Sequence, residues 1–187
     1  DASCEQLAQV LAHNRSIETL RLGGNRITSK GIVQLAQSLS VNTTLHTLEL
    51  ADNMIDDEGF EAIARVLEGT SSLERLDLQE NVGTYFGVEC LGDALVRAST
   101  LQKKRSLKWI RLDHAWLHMP ELLGEFSKND VSTLDLRGRQ YGVFDAILVG
   151  KLLAINKSCL YVRLSKNNLC GRGCHPQNKD RIRKPMK

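Results

Sequence analysis

The chain has 187 residues, 42% of them hydrophobic and 25% charged, and a formal net charge of +3. That balance excludes an intrinsically disordered polymer, and every apolar run is too short and too interrupted to span a bilayer. A charge so close to neutral also gives no reason to expect a nucleic-acid-binding surface spread over the whole molecule.

In chain order, the first signal is helical. Cys4, Leu7 and Leu11 match Ile32, Leu35 and Leu39 one period later, so residues 1–16 are expected to be the helical half of a preceding repeat, with the helix over 3–13. The chain starts at Asp1, inside a repeat and without an initiator Met, and is expected to be a piece cut from a longer protein. Next comes a pattern of apolar-x-x-apolar-x-apolar-x-x-Asn-x-apolar: Ile17, Leu20, Leu22, Asn25 and Ile27, repeated as Leu45, Leu48, Leu50, Asn53 and Ile55. The third unit reads Leu73, Leu76, Leu78 and Asn81, with Gly83 in the last apolar place. The fourth is degraded to Leu107, Ile110, Leu112, Ala115 and Leu117, and the fifth to Val131, Leu134, Leu136, Arg139 and Tyr141. The sixth recovers as Cys159, Val162, Leu164, Asn167 and Leu169, so that the starts are 28, 28, 34, 24 and 28 residues apart.

In each unit the apolar-x-apolar centre predicts a short strand with alternate side chains inward, and the Asn marks the turn away from the sheet, where its amide can bond neighbouring backbone. Loss of that Asn at Ala115 and Arg139 predicts local defects. Helical spacing follows: Leu35, Ala36 and Leu39 recur as Ile63, Ala64 and Leu67, and Thr28 or Ser29, then Asp56 or Asp57, stand at the expected N-caps. The expected fold is α/β, a leucine-rich-repeat solenoid forming a right-handed arc, with six parallel strands on a concave face and helices on the convex face. Residues 17–169 carry the six repeats, irregular over 99–130, and 170–187 form a basic, Gly-rich tail.

The run Leu-x-x-Leu-x-Leu-x-x-Asn-x-Ile, the Gly-led helix Gly59-Phe-Glu-Ala-Ile-Ala-Arg-Val-Leu67 and the Asn before each strand resemble the ribonuclease-inhibitor-like subclass of leucine-rich repeats. The resemblance implies a protein-protein interaction module, as in nuclease inhibitors, the sensor regions of NACHT-type innate immune receptors and activators of the Ran GTPase. It therefore implies no enzyme, no cofactor, no small-molecule substrate and a cytoplasmic scaffold or receptor. The alternative it offers is a Ran-directed GTPase activator, although such relatives typically carry an acidic tail, whereas Lys179 to Lys187 is basic.

Other features are read more plainly. The histidines stand without a catalytic motif, and Cys170-Gly-Arg-Gly-Cys174-His175 lacks a fourth zinc ligand, so no metal site is expected. Cys4, Cys90 and Cys159 take apolar places in the repeat and are expected as free thiols in a reducing compartment. Asn14, Asn42 and Asn156 begin glycosylation triplets, but each lies three residues before a repeat and is better explained as a turn residue. The basic tail is expected to be solvated rather than bound to nucleic acid or membrane. An uncapped solenoid end exposes apolar surface, which favours end-to-end self-association of the fragment. The insertion Ser99 to Arg105 is expected to be irregular.

The outward strand positions are the candidate site for a protein partner. Early units are bland, presenting Thr19, Arg21 and Gly23, then Thr47, Glu49 and Ala51, then Arg75, Asp77 and Gln79, whereas later ones present Trp109, Arg111, Asp113, Asp135, Arg137, Tyr161 and Arg163, rich in the aromatic and Arg types that anchor interfaces. With strands about 4.8 Å apart, Trp109 and Tyr161 are expected roughly 10 Å from each other in one patch. The column Arg21, Glu49, Asp77, Arg111, Asp135 and Arg163 also mostly alternates in sign and is expected to pair with itself.

Overall fold

The computed structural model describes residues 1–69, 72–100, 106–123, 133–157 and 159–170. The apolar-x-apolar centres form three-residue strands: β1 (Thr19–Arg21), β2 (Thr47–Glu49), β3 (Arg75–Asp77) and β4 (Trp109–Arg111), paired in parallel in that order. Leu48, Leu76 and Ile110 at their centres are fully buried, while the flanking residues face outward, because successive side chains alternate across a strand. Helices α1 (Ala2–His13), α2 (Ser29–Leu39), α3 (Asp57–Glu68) and α4 (Tyr85–Thr100) follow one another in a second layer, each packed on the next. One apolar core runs between the layers from Cys4 to Leu152.

Side-chain amides join the units. The Asn53 Nδ2 donates to the carbonyls of Leu22, Leu50 and Ala51, while its Oδ1 accepts from the N–H groups of Asn25 and Ile27. Asn81 repeats this one unit on, with Leu50, Leu78 and Ile55, and Asn167 does so with Leu136, Leu164 and Tyr141. The residue before the turn position has positive φ at Gly24, Asp52, Glu80, Gly138 and Lys166, so the turn is built alike in five units. Asn42 makes the second turn, from helix to strand: its Oδ1 accepts from Thr44 and Leu45, and its Nδ2 donates to the Leu11 carbonyl at 2.7 Å. The Asn42 amide is thus buried and consumed by backbone, as the turn reading requires.

Acidic residues link helix starts across units. Asp1 accepts from the N–H and hydroxyl of Thr28, the N-cap of α2, and Asp57 accepts from the N–H groups of Thr84 and Gly87 and the Thr84 hydroxyl at the start of α4. Burial opposes ionisation of Asp57, yet these bonds prevail and hold its carboxyl below the ordinary value. Asp56 accepts from its own helix, at Glu58, and from the Ser29 hydroxyl.

The expected single run of six parallel strands is not formed. After β4 the chain doubles back as β5 (Trp116–His118), antiparallel to β4, and β6 (Thr133–Asp135) pairs in parallel with β7 (Tyr161–Arg163) in a separate sheet. The cause lies at Ala115: its methyl group cannot make the bonds that Asn53 and Asn81 make to hold the outward turn, and Leu117 on the returning strand and Met119 just after it are buried in the core instead. The edge of β4 that a next repeat would use is then taken. Helix α5 (Met119–Leu122) has only four residues, with Pro120 in its first turn, so α6 (Val143–Leu153) packs directly on α4 and keeps the helical layer continuous. At the other degraded turn Arg139 substitutes in part for the Asn, donating to the Asp135 carbonyl and to Glu121. Ser99, expected to be irregular, lies in α4, and 101–105 fall outside the described residues.

Candidate protein-binding face

On β1 to β4 the outward residues are Thr19 and Arg21, Thr47 and Glu49, Arg75 and Asp77, then Trp109 and Arg111. Because β5 runs back along β4, it places His118 beside Trp109 and Trp116 beside Arg111 on the same face. The Trp109 and His118 rings lie 4.4 Å apart. Trp116 turns across the sheet: the guanidinium of Arg75 sits 4.4 Å from its ring centre and that of Arg111 5.0 Å, two cation–π contacts on one ring.

Ion pairs organise the charges. Arg21, exposed, meets half-buried Glu49 at 3.1 Å, a pair worth at most about 1 kcal/mol. Arg111 is different: its Nε donates to Asp77 Oδ1 at 3.0 Å and its Nη2 to Oδ2, while the Asp77 side chain is only 4% exposed. The bond to Asp77 raises the Arg111 pKa against its burial. On the second sheet Arg137 donates to Asp135 at 2.8 Å, and Arg163 approaches the same carboxylate at 3.8 Å. The hydrogen bonds from Arg137 hold the Asp135 carboxyl down to about 2. The sign-alternating column therefore does pair with itself at Arg21–Glu49, Asp77–Arg111 and Asp135–Arg163.

Three expectations about the site change. Trp109 and Arg111 lie on the first sheet, whereas Asp135, Arg137, Tyr161 and Arg163 lie on the second, so the single strand ladder expected to carry all of them is interrupted by β5. Asp113 does not point outward. Its Oδ2 accepts from the N–H groups of Phe144 and Asp145 at 2.8 and 3.1 Å and caps α6, an approach open only because Gly142 carries no Cβ. Trp116 and His118 were not among the expected contacts, because the six-unit frame assigns Leu117 to the closing apolar position. The signal was the alternation Trp116, Leu117, His118, Met119, a period of two.

Tyr161 stands 65% exposed on β7. Elsewhere, Met54, Val82, Tyr85 and Phe86 are exposed apolar residues where the chain passes from strand to helix, and the Tyr85 and Phe86 rings stack at 4.2 Å. Among the described residues no group of His, Cys, Asp or Glu is placed to hold a metal ion. Cys4, Cys90 and Cys159 form no disulfide, and Cys170 is exposed, while Cys174, His175 and the basic tail fall outside the described residues. No helix among the described residues is long and apolar enough to cross a membrane.

The family model described as Leucine Rich repeat matches residues 13–36 and 41–64, the first two units of the ladder. Among solved structures, Leiomodin-1 Actin-Binding Site 2 superimposes with a TM-score of 0.56 at 18% identity, over 86% of this chain and 77% of that one, a likeness of fold. No curated protein matches the sequence.

Proposed function

We propose that this leucine-rich-repeat chain is a protein-interaction module of the ribonuclease-inhibitor-like kind, part of a larger cytoplasmic receptor or scaffold, that binds a protein partner through a concave strand face. In this reading 1–16 complete a preceding repeat, 17–169 form the binding array and 170–187 are a solvated tail. The observation that carries it is the cluster of Arg75, Trp109, Arg111, Trp116 and His118 over β3 to β5, which contains both tryptophans of the chain. Rings and guanidiniums already held against one another lose little further freedom on binding, and these residue types dominate interface hot spots. Tyr161, Arg137 and Arg163 provide a second group of contacts on the adjoining sheet. The fold neighbour's description as an actin-binding site supports a partner that is itself a protein.

Alanine substitution tests the face. Trp109→Ala, Arg137→Ala and Tyr161→Ala should each weaken association with the partner by about 2 kcal/mol, and Thr19→Ala and Thr47→Ala by a few tenths. Calorimetric titration measures both sets, with circular dichroism confirming the fold. Undiminished binding in folded Trp109→Ala, Arg137→Ala and Tyr161→Ala proteins would move the site to the apolar edge around Tyr85 and Phe86.

A further inference from the structure

Every cation beside Arg75 on the first sheet is matched to a carboxylate. Arg21 has Glu49, Arg111 has Asp77, and Lys108 holds Glu74 at 2.8 Å, so the acids flanking Arg75 in sequence and across the strands are already engaged. Among the described residues the Arg75 guanidinium meets no carboxylate and lies over the face of Trp116. The guanidinium lies over the ring while Arg75 as a residue stays exposed, so its N–H donors can still be reached from solvent. A guanidinium fork matches a carboxylate geometrically, and the contact with the ring restricts the side chain before any ligand arrives. On the second sheet Arg137 and Arg163 share the carboxylate of Asp135.

We infer that the partner is an acidic protein segment that sets an Asp or Glu carboxylate on Arg75 and an apolar or aromatic neighbour against Trp109 and His118. The inference rests on the strand-face reading and gives the partner its chemistry. A nucleic-acid strand fits the same cations less well. Glu49, Asp77 and Asp135 are interspersed among them and would repel a continuous run of phosphates, and the Trp116 face is occupied by two guanidiniums where a base would have to stack. A discrete carboxylate avoids both conflicts.

Because Trp109 and Trp116 are the chain's two tryptophans, emission excited at wavelengths too long for tyrosine to absorb reports this site alone. The whole chain is titrated with short peptides alternating Glu and Tyr-free apolar residues, with their Gln and Lys counterparts, and with oligothymidylate. The acidic peptide should change Trp emission saturably, added salt should weaken the response, and the Gln and Lys peptides should leave it flat. Arg75→Gln should lower affinity about tenfold and Arg75→Glu more. Arg75 is exposed, so losing its ring contact should lower the unfolding midpoint only slightly and leave both variants folded, which is measured in parallel. An unchanged titration in folded Arg75→Glu protein, no response to the acidic peptide, or tighter binding of oligothymidylate would each overturn the inference. A response to the Gln or Lys peptide that disappears in Trp109→Ala protein would overturn the acidic partner while leaving the strand face standing.

Discussion

Phe60→Ala should destabilise the chain by about 4 kcal/mol, the high end expected for an aromatic side chain removed from a core. The reason is positional. Gly83 stands where units one and two have Ile27 and Ile55, and the Phe60 ring from the preceding helix fills the space: a Cβ added at Gly83 would lie 2.6 Å from Phe60 Cε2. Gly87 is packed the same way, 2.8 Å from the Phe60 Cβ. Phe60 therefore joins its own unit to the next, and its loss opens a cavity at the seam between them. A double-mutant cycle separates this from a general core effect. Gly83→Ala alone should cost about 1–3 kcal/mol by overpacking, but in the Phe60→Ala background it should cost nothing or restore part of the loss. Urea unfolding measures all four proteins, and additive costs would show that the two positions do not share the space.

Asp145→Asn should stabilise the chain at pH 8 by on the order of 3–4 kcal/mol and flatten its stability between pH 4 and 7. Asp145 takes the place that Gly31, Gly59 and Gly87 hold in regular units. Its side chain is fully buried: Oδ2 accepts from the Gly142 N–H at 3.0 Å, whereas Oδ1 has no partner among the described residues. Burial, reinforced by Asp113 beside it, pushes the carboxyl up to about 7 against the help of Gly142. Tyr141, Arg139 and Glu121 are the other titratable or charged groups of this region. A folded-state pKa above the unfolded one contributes stability that is complete below the unfolded value and disappears as pH rises through the folded value. The wild type should thus lose stability from about pH 4 to about pH 7 through this group. Asp57 and Asp135, whose carboxyls are held low, act oppositely and lose their contribution only as the medium becomes more acidic than the ordinary carboxylate range. The difference between wild type and Asp145→Asn across pH isolates the one group. Parallel profiles would show that Asp145 is ionised in the folded chain.

The strands, the turn amides and the helices were legible because each rests on a local period. Asn53 and Asn81 are spaced like the bonds they make, and Leu35 and Ile63 fall on the same helical face in successive regular units. What the sequence hid is partner choice. An apolar-x-apolar segment has a period of two whether it pairs in parallel or antiparallel, so nothing in Trp116-Leu117-His118 showed that it would fold back on Trp109–Arg111 and interrupt the ladder. The same reversal hid the role of Asp113, which looks like an outward strand-end residue until α6 is seen to start against it. Missing amides at Ala115 and Arg139 marked where irregularity falls, but their outcomes differ because only Arg139 has a side chain able to reach the carbonyl of Asp135.

Photo-crosslinking from single positions tests the central claim, that the strand face is where a protein partner docks. A benzophenone side chain is placed in turn at Thr47 and His118 on the strands and at Gln37 and Arg65 on the exposed helical surface. The account predicts adducts of one partner from Thr47 and His118, diminished by Arg75→Glu, and none from Gln37 or Arg65. Adducts from Gln37 or Arg65 with none from the strand positions would contradict it.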